Sequence, residues 1–350
     1  MTQDRIEGAV GNWDSRQWRR VIATYHRPSH ARSIMELLIT LAGFMVSWAA
    51  IYLGLTAGYA LAWLMIIPAA AFLVRLFMIQ HDCSHHAFFR PARVNDWVGR
   101  VIGVITLTPH DFWRYTHIMH HASSGNLDRS ELGAITTLTV AEYQAMPRGK
   151  RLKYRLYRHP LVMLVIGPAY LFLLDHRLPV GAMRGGRMPW LSTMGTNAAI
   201  ALTAGSLMSV TGIGTFLMIQ LPITVLAASI GVWLFYVQHQ FETTYWERDP
   251  NWDQPEAALE GSSHLDLPPV LRWFTANIGI HHVHHLCSRV PFYRLPEILR
   301  NYPELKGVNR ITLKQSLALI RVTLWDENQR RLVTFRQARQ RSTTASAAVA

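Results

Sequence analysis

Cysteine and charge are what this chain has least of. Its 350 residues include two cysteines, Cys83 and Cys287, and no Cys-x-x-Cys pair, which removes disulfide scaffolds and structural zinc modules. Only 16% of residues are charged while half are apolar, too few charges for an ordinary soluble domain of this size. Acids are the scarcer sign: 22 Asp and Glu against 35 Lys and Arg leave a formal charge of +13. The basic residues flank apolar runs and form no stripe interleaved with aromatics, which excludes nucleic acid as the partner and suits anionic lipid headgroups and acidic proteins. A glycine-rich phosphate loop, a flavin fingerprint and a haem-attachment Cys-x-x-Cys-His are missing too, so electrons for any redox chemistry must come from another protein.

The apolar residues are grouped into runs of membrane-crossing length. Residues 34–54 and 59–80 each supply about 20, enough for a helix rising about 1.5 Å per residue to cross about 30 Å of hydrocarbon. They form a hairpin turned at Leu55 to Gly58, with a kink expected at Pro68 and with Arg75 expected to snorkel to the interface. Residues 194–211 and 214–237 form a second hairpin turned at Thr211 to Gly214. Residues 94–108 and 160–174 are apolar but short and suit half-buried or interfacial helices. So does the tryptophan- and arginine-bearing stretch around Trp13, Trp18, Arg19 and Arg20. The first run starts beyond residue 30 and exceeds a signal-peptide core, so no cleaved signal is expected. Neither hairpin turn carries Lys or Arg, and the positive-inside rule therefore places both termini in the cytoplasm. Two free cysteines fit that reducing side.

Histidine is abundant, and ten of the seventeen sit in three clusters: His81, His85 and His86; His117, His120 and His121; His281, His282, His284 and His285. On a helix, spacings of three and four put side chains on one face, so each cluster is a two- or three-toothed claw. Neutral imidazole is the usual nitrogen ligand of zinc, iron and copper, and eight or more ligands exceed what one tetrahedral ion takes. Two ions, five-coordinate or octahedral, are the economical reading. The even number of spans between clusters lets all three meet on one cytoplasmic face.

His-x-x-x-His-His at 81–86 followed by His-x-x-His-His at 117–121 and 281–285 resembles the integral-membrane fatty acid desaturases. The likeness extends to Leu107-Thr108-Pro109, to the run after His121 through Asp128, to Trp233 through Glu242 and to Asn277 through His285. It covers residues 33–330 and looks like the bacterial acyl-lipid branch. The resemblance implies removal of two hydrogens from an acyl chain, with O2 and two electrons, at a non-haem di-iron centre. The implied ligands are His81, His85 or His86, His117, His120, His121, His281, His284 and His285, with His282 a further candidate beside His281. His239, at the end of the fourth span, matches an extra ligand of related enzymes. Some relatives carry Asn four residues before it, where this chain has Phe235. An acyl lipid, O2 and a ferredoxin-like donor are the implied partners.

The expected architecture is an all-α membrane protein. It has four transmembrane helices in two hairpins, interfacial helices, and a cytoplasmic helical cap built from 81–193 and 240–330 that holds the two iron ions. A basic segment, 1–33, precedes it and a disordered basic tail, 331–350, follows; the bacterial inner membrane is the expected location. Phe112, Trp113, Trp233, Phe235, Trp273 and Phe274 are candidates to line an acyl tunnel. Asp82, Asp111, Asp128, Glu242 and Asp266 are candidates to orient ligand imidazoles. A di-iron lipid hydroxylase or ketolase is the alternative enzyme. A metal transporter is the alternative of another class, and it would need ionisable ligands deep within the spans, where Glu36 and Arg75 near the span ends are all the sequence offers.

Overall fold

A computed structural model describes residues 14–129 and 134–340; Trp13 and residues 341–350 lie outside them. The first helices start where the sequence supplies caps. Asp14 accepts the Arg16 amide ahead of α1 (Ser15–Ile22), and Ser29 accepts the Arg32 amide ahead of α2 (His30–Thr56). Gly58, at φ 81°, turns the chain, and a 3-10 turn, Ala60–Met65, leads into α3 (Ile66–Ser84). Pro68 is the third residue of α3, where its missing N–H leaves no helical bond unmade, so the irregularity expected of it precedes the helix as the 3-10 turn.

The chain then runs through α4 (Ala92–Ile105) and α5 (His110–Ser123), which meet so closely that a Cβ on Gly99 would lie 2.2 Å from the His110 ring. Strand β1 (Leu138–Thr139) is followed by α6 (Val140–Ala145), α7 (Arg148–Tyr157), a π turn at Val162–Ile166 and α8 (Gly167–Leu173). The second hairpin is α9 (Arg187–Thr211) and α10 (Ile213–His239), turned at Gly212 with φ 83°. Beyond it come α11 (Gln254–Glu260), β2 (His264–Asp266), α12 (Pro269–Phe274), α13 (His281–Leu286) and α14 (Leu295–Asn301). β3 (Arg310–Thr312), α15 (Leu313–Leu319), β4 (Leu324–Asp326) and β5 (Arg331–Val333) end the series.

Among the described residues the fold is mostly helical, with five strands of two or three residues that the all-helical expectation missed. β3 pairs in parallel with β2, and β4 joins β1 in parallel and β5 antiparallel. Residues 331–340, placed in the tail by sequence, hold β5 and a helical turn with Leu332, Val333 and Ala338 buried. Within the acidic stretch 246–261 lies α11, capped by the Asp253 carboxylate. Trp18, expected among headgroups, is 2% exposed and packs edge-on against Tyr302 at 5.5 Å, so α1 is a strut of the cap.

Among the described residues three helical stretches are long and apolar enough to cross a membrane: His30–Thr56, Ala60–Ser84 and Ile213–His239. α9, expected as the third span, has the length, but its serines and threonines dilute its apolar character below that of the others. The stretch Arg148–Tyr157 plus Val162–Arg177, bent by 57°, is a fourth apolar candidate.

Arg75 does not snorkel. It is 1% exposed and donates to the Glu36 carboxylate, to Thr40 Oγ1 at 3.2 Å and to the Trp273 carbonyl, while its guanidinium lies 4.0 Å over the Trp273 ring. Glu36 also takes Arg32 at 2.7 Å. A buried cation costs several kcal/mol in desolvation, and here a carboxylate, a hydroxyl, a carbonyl and an aromatic face offset it, fastening α2, α3 and α12 together. Glu36→Gln leaves that cation uncompensated and should destabilise the protein by about 3 to 5 kcal/mol, read as a fall in thermal midpoint. The double change Glu36→Met with Arg75→Met should cost much less. Equal losses in the two variants would mean that the ion pair is not what the α2–α3 contact depends on.

Candidate metal centre

The histidine clusters converge at the carboxyl ends of α3 and α10. α3 carries His81 and ends at Ser84, so His85 still lies one helical turn beyond His81 on the same face. His86, at φ 53°, has left the helix and turns the other way, where its Nε2 meets Asp96 Oδ1 at 2.8 Å. α5 presents His117, His120 and His121; α10 ends on His239; α13 presents His281, His284 and His285. His282 faces the opposite side of α13, with Nε2 2.9 Å from the Leu305 carbonyl oxygen. Sequence spacing left His86 and His282 beside His85 and His281, and the geometry separates each pair.

Two groups result. In one, a ring nitrogen from each of His81, His85, His117, His121 and His284 lies within 4.8 Å of the others; in the second the same holds for His120, His239 and His285. The Nε2 atoms of His85 and His117 are 3.0 Å apart, those of His117 and His121 3.2 Å, and those of His121 and His284 3.2 Å. In the second group His239 Nε2 is 3.1 Å from His120 Nε2 and 3.0 Å from His281 Nε2, so His281 borders this group. The groups adjoin through His121 and His285, whose rings stack at 4.0 Å.

Burial first, and neighbouring imidazoles second, push His85, His117, His121, His281, His284 and His285 well below the usual histidine range. Neutral rings are the ligand form. No carboxylate belongs to either group. Two nitrogens each about 2.1 Å from one ion stand about 3.0 to 3.2 Å apart when the angle between them is about 90 to 100°. The observed separations are short enough for neighbouring nitrogens to share one cation.

The surroundings fix the rings. His239 Nδ1 is 3.2 Å from the Gly261 carbonyl, a contact that sequence did not reveal because the acceptor is backbone. Asp82 lies 3.3 Å from His81 Nδ1 and accepts the Phe292 amide at 2.7 Å. The other acidic candidates do not contact a clustered histidine. Asp111 binds Arg100, Asp128 binds Arg248, Asp266 binds Arg310, and Glu242 is exposed. Asp96, which sequence reasoning passed over, holds His86 and Arg114.

Beside the histidines lies a cavity of about 210 Å³. Phe112, Trp113 and Phe235 line it as expected, together with Phe77, Phe172 and Gly231. Trp273 and Phe274 do not line it and pack on Phe72 instead; Trp233 is outside the lining too. The cavity leads from His81 past Trp113, Phe77 and Phe172, each ring 5.2 to 6.0 Å from the last. A smaller pocket, sharing Phe77, Phe172 and Gly231, continues between α3 and α10 to Leu73, Ala227 and Thr224.

His110, outside both groups, is buried with neither ring nitrogen bonded, and burial lowers its pKa to about 4. A depressed pKa means that stability is intact above the unfolded value near 6.5 and falls as pH drops toward 4, since only the unfolded chain takes up the proton there. His110→Phe should therefore reduce the loss of stability between pH 7 and pH 5 by about 1 to 2 kcal/mol. Thermal midpoints at the two pH values check this, and an unchanged difference would mean that His110 is not held neutral.

Comparison with known proteins agrees with the geometry. The family model described as fatty acid desaturase matches residues 66–312. A fatty acid desaturase of Bacillus subtilis is 44% identical over 322 residues, spanning 92% of this chain and 91% of the relative. An sn-1 oleoyl-lipid 12-desaturase of Synechocystis is 28% identical over 233 residues, 64% of this chain and 63% of that protein. An sn-1 acyl-lipid omega-3 desaturase (ferredoxin) of Nostoc is 26% identical over 272 residues, 75% and 70% of the two chains. With apolar helices long enough to cross a membrane and a double nest of buried imidazoles at their ends, the chain belongs to the fatty acid desaturase family.

Proposed function

We propose that this desaturase introduces a cis double bond into an acyl chain carried by a membrane lipid, with two iron ions held by the two imidazole groups. The observation that carries the reading is the junction of those groups with an apolar cavity set between α3, α5 and α10. An unactivated methylene offers no acidic proton and no leaving group; iron, when bound, supplies the oxidising power needed to remove its hydrogens. Ligation is assigned to His81, His85, His117, His121 and His284 around one ion, and to His120, His239, His281 and His285 around the other. Asp82 and the Gly261 carbonyl fix the orientation of His81 and His239. Phe77, Phe112, Trp113 and Phe172 exclude water and confine the chain, so that position along the cavity selects the carbon pair.

Four crossings are supported by chain parity. α3 and α10 both deliver histidines from their carboxyl ends to one site, so the chain from the end of α3 to the end of α10 crosses an even number of times, α10 included. The Gly212 turn starts α10 beside the end of α9, which makes α9 the matching crossing. Placement of the site and both termini in the cytoplasm, at a bacterial inner membrane, follows from the uncharged hairpin turns. A ferredoxin-type protein is the proposed donor, in line with the name of the Nostoc relative and with the basic surface, whose attraction for an acidic protein weakens as salt rises.

A hydroxylase or ketolase would share the metal nest, and lipid products distinguish it. Mass analysis of lipids from a host expressing the chain should reveal a new double bond, lost together with bound iron in His284→Ala or His120→Ala and kept in His26→Ala. Only hydroxylated or ketonic products would overturn desaturation, and an active, iron-retaining His284→Ala would remove that ligand. Gly231→Leu, narrowing the junction of the two cavities, should shift the products toward shorter acyl chains while iron content stays unchanged. An unaltered chain-length profile would mean that the tail lies elsewhere.

A further inference from the structure

The chemistry above leaves α7 unused. This helix carries Arg148, Lys150, Arg151, Lys153 and Arg155, and the sequence has no acidic residue between Glu142 and Asp175. At about 100° per residue, Tyr154 and Arg158 share one face, and both are buried. The opposite face centres on Leu152 and Leu156, which are 58% and 56% exposed. Arg148 and Arg155 flank the leucines on one side and Lys153 on the other. Arg148, Lys150 and Lys153 make no ion pair among the described residues.

Leucines in the middle of an exposed face with cations along both margins is the arrangement of a helix lying in a bilayer surface. The apolar side chains enter the acyl boundary and the basic ones reach headgroup phosphates. Depth agrees with this. Arg158 donates to Tyr236 Oη at 3.2 Å and to Gln240 Oε1 at 3.0 Å, at the carboxyl end of α10, a helix long and apolar enough to cross a membrane. After the bend, Leu161, Val165 and Ile166 are exposed too, and beyond them α8 gives Leu171 and Phe172 to the cavity wall.

We propose that α7 docks on anionic phospholipid headgroups, and that this docking is passed to the site by two routes: Arg158 to the residues flanking His239, and α8 to the wall of the cavity. An acidic surface thereby steadies the histidine end of α10 and the tunnel together. The docking itself rests only on the helix; the consequence for turnover rests on the desaturase reading.

The test uses the full chain in nanodiscs of phosphatidylcholine alone and with about one third phosphatidylglycerol. Amide hydrogen exchange across residues 148–157 should slow roughly tenfold with phosphatidylglycerol. R148E/K150E/K153E should abolish that slowing while keeping the thermal midpoint, as should L152S/L156S. Turnover driven by a small chemical reductant should rise several-fold with phosphatidylglycerol in the wild type and not in the variants. Equal exchange in both nanodiscs would overturn the docking. So would protection that appears only on adding an acidic donor protein, which would make this face a protein interface. Slowed exchange without any gain in turnover would keep the docking and overturn its link to the site.

Discussion

Imidazole nitrogens 3.0 to 3.2 Å apart in a buried volume repel one another unless a proton or a cation lies between them. In this protein such nitrogens come from α3, α5, α10 and α13, and no carboxylate stands among them. Protons are a poor remedy, since burial disfavours the charged ring. Metal ions would relieve the whole set at once, and their binding energy would become folding energy because the four elements meet only in the folded state. The rest of the structure serves that meeting. The carboxyl ends of α3 and α10 meet, Gly99 lets α4 and α5 close together under His110, and the Glu36–Arg75 pair ties α2, α3 and α12 ahead of the third histidine cluster.

Absence of carboxylate ligands also bears on the chemistry proposed. Neutral donors would leave the charge of bound ions uncompensated by the protein, beside a cavity walled by Phe77, Phe112, Trp113 and Phe172. The protein's share of the work is to keep this volume dry, to fix the imidazoles through Asp82 and the Gly261 carbonyl, and to position an unreactive chain.

What could be read from the sequence was whatever repeats with a helical period. Spacings of three and four in the clusters, about 20-residue apolar runs and uncharged turns gave the membrane class, the family and the convergence of the boxes. Where the helix stops, periodicity stops informing. The end of α3 at Ser84 separates His85 from His86, and only the fold displays it. Arg75 and Trp18 were misjudged because a lone basic or aromatic residue near an interface is usually solvated or embedded in headgroups. The partners that bury these two, Glu36, Trp273 and Tyr302, are distant in sequence. Backbone acceptors such as Gly261 leave no trace in side-chain identity, and two- or three-residue strands such as β4 and β5 are too short to alternate. The amphipathic layout of α7 was present in the letters, but which of its faces is covered depends on Tyr154 and Arg158 being packed.

Anomalous X-ray diffraction from crystals of the purified protein at the iron absorption edge addresses the central claim most directly. Two peaks are expected per chain, one enclosed by His81, His85, His117, His121 and His284 and the other by His120, His239, His281 and His285. A single peak, a peak among other side chains, or an active protein with no iron signal at these positions would contradict the account.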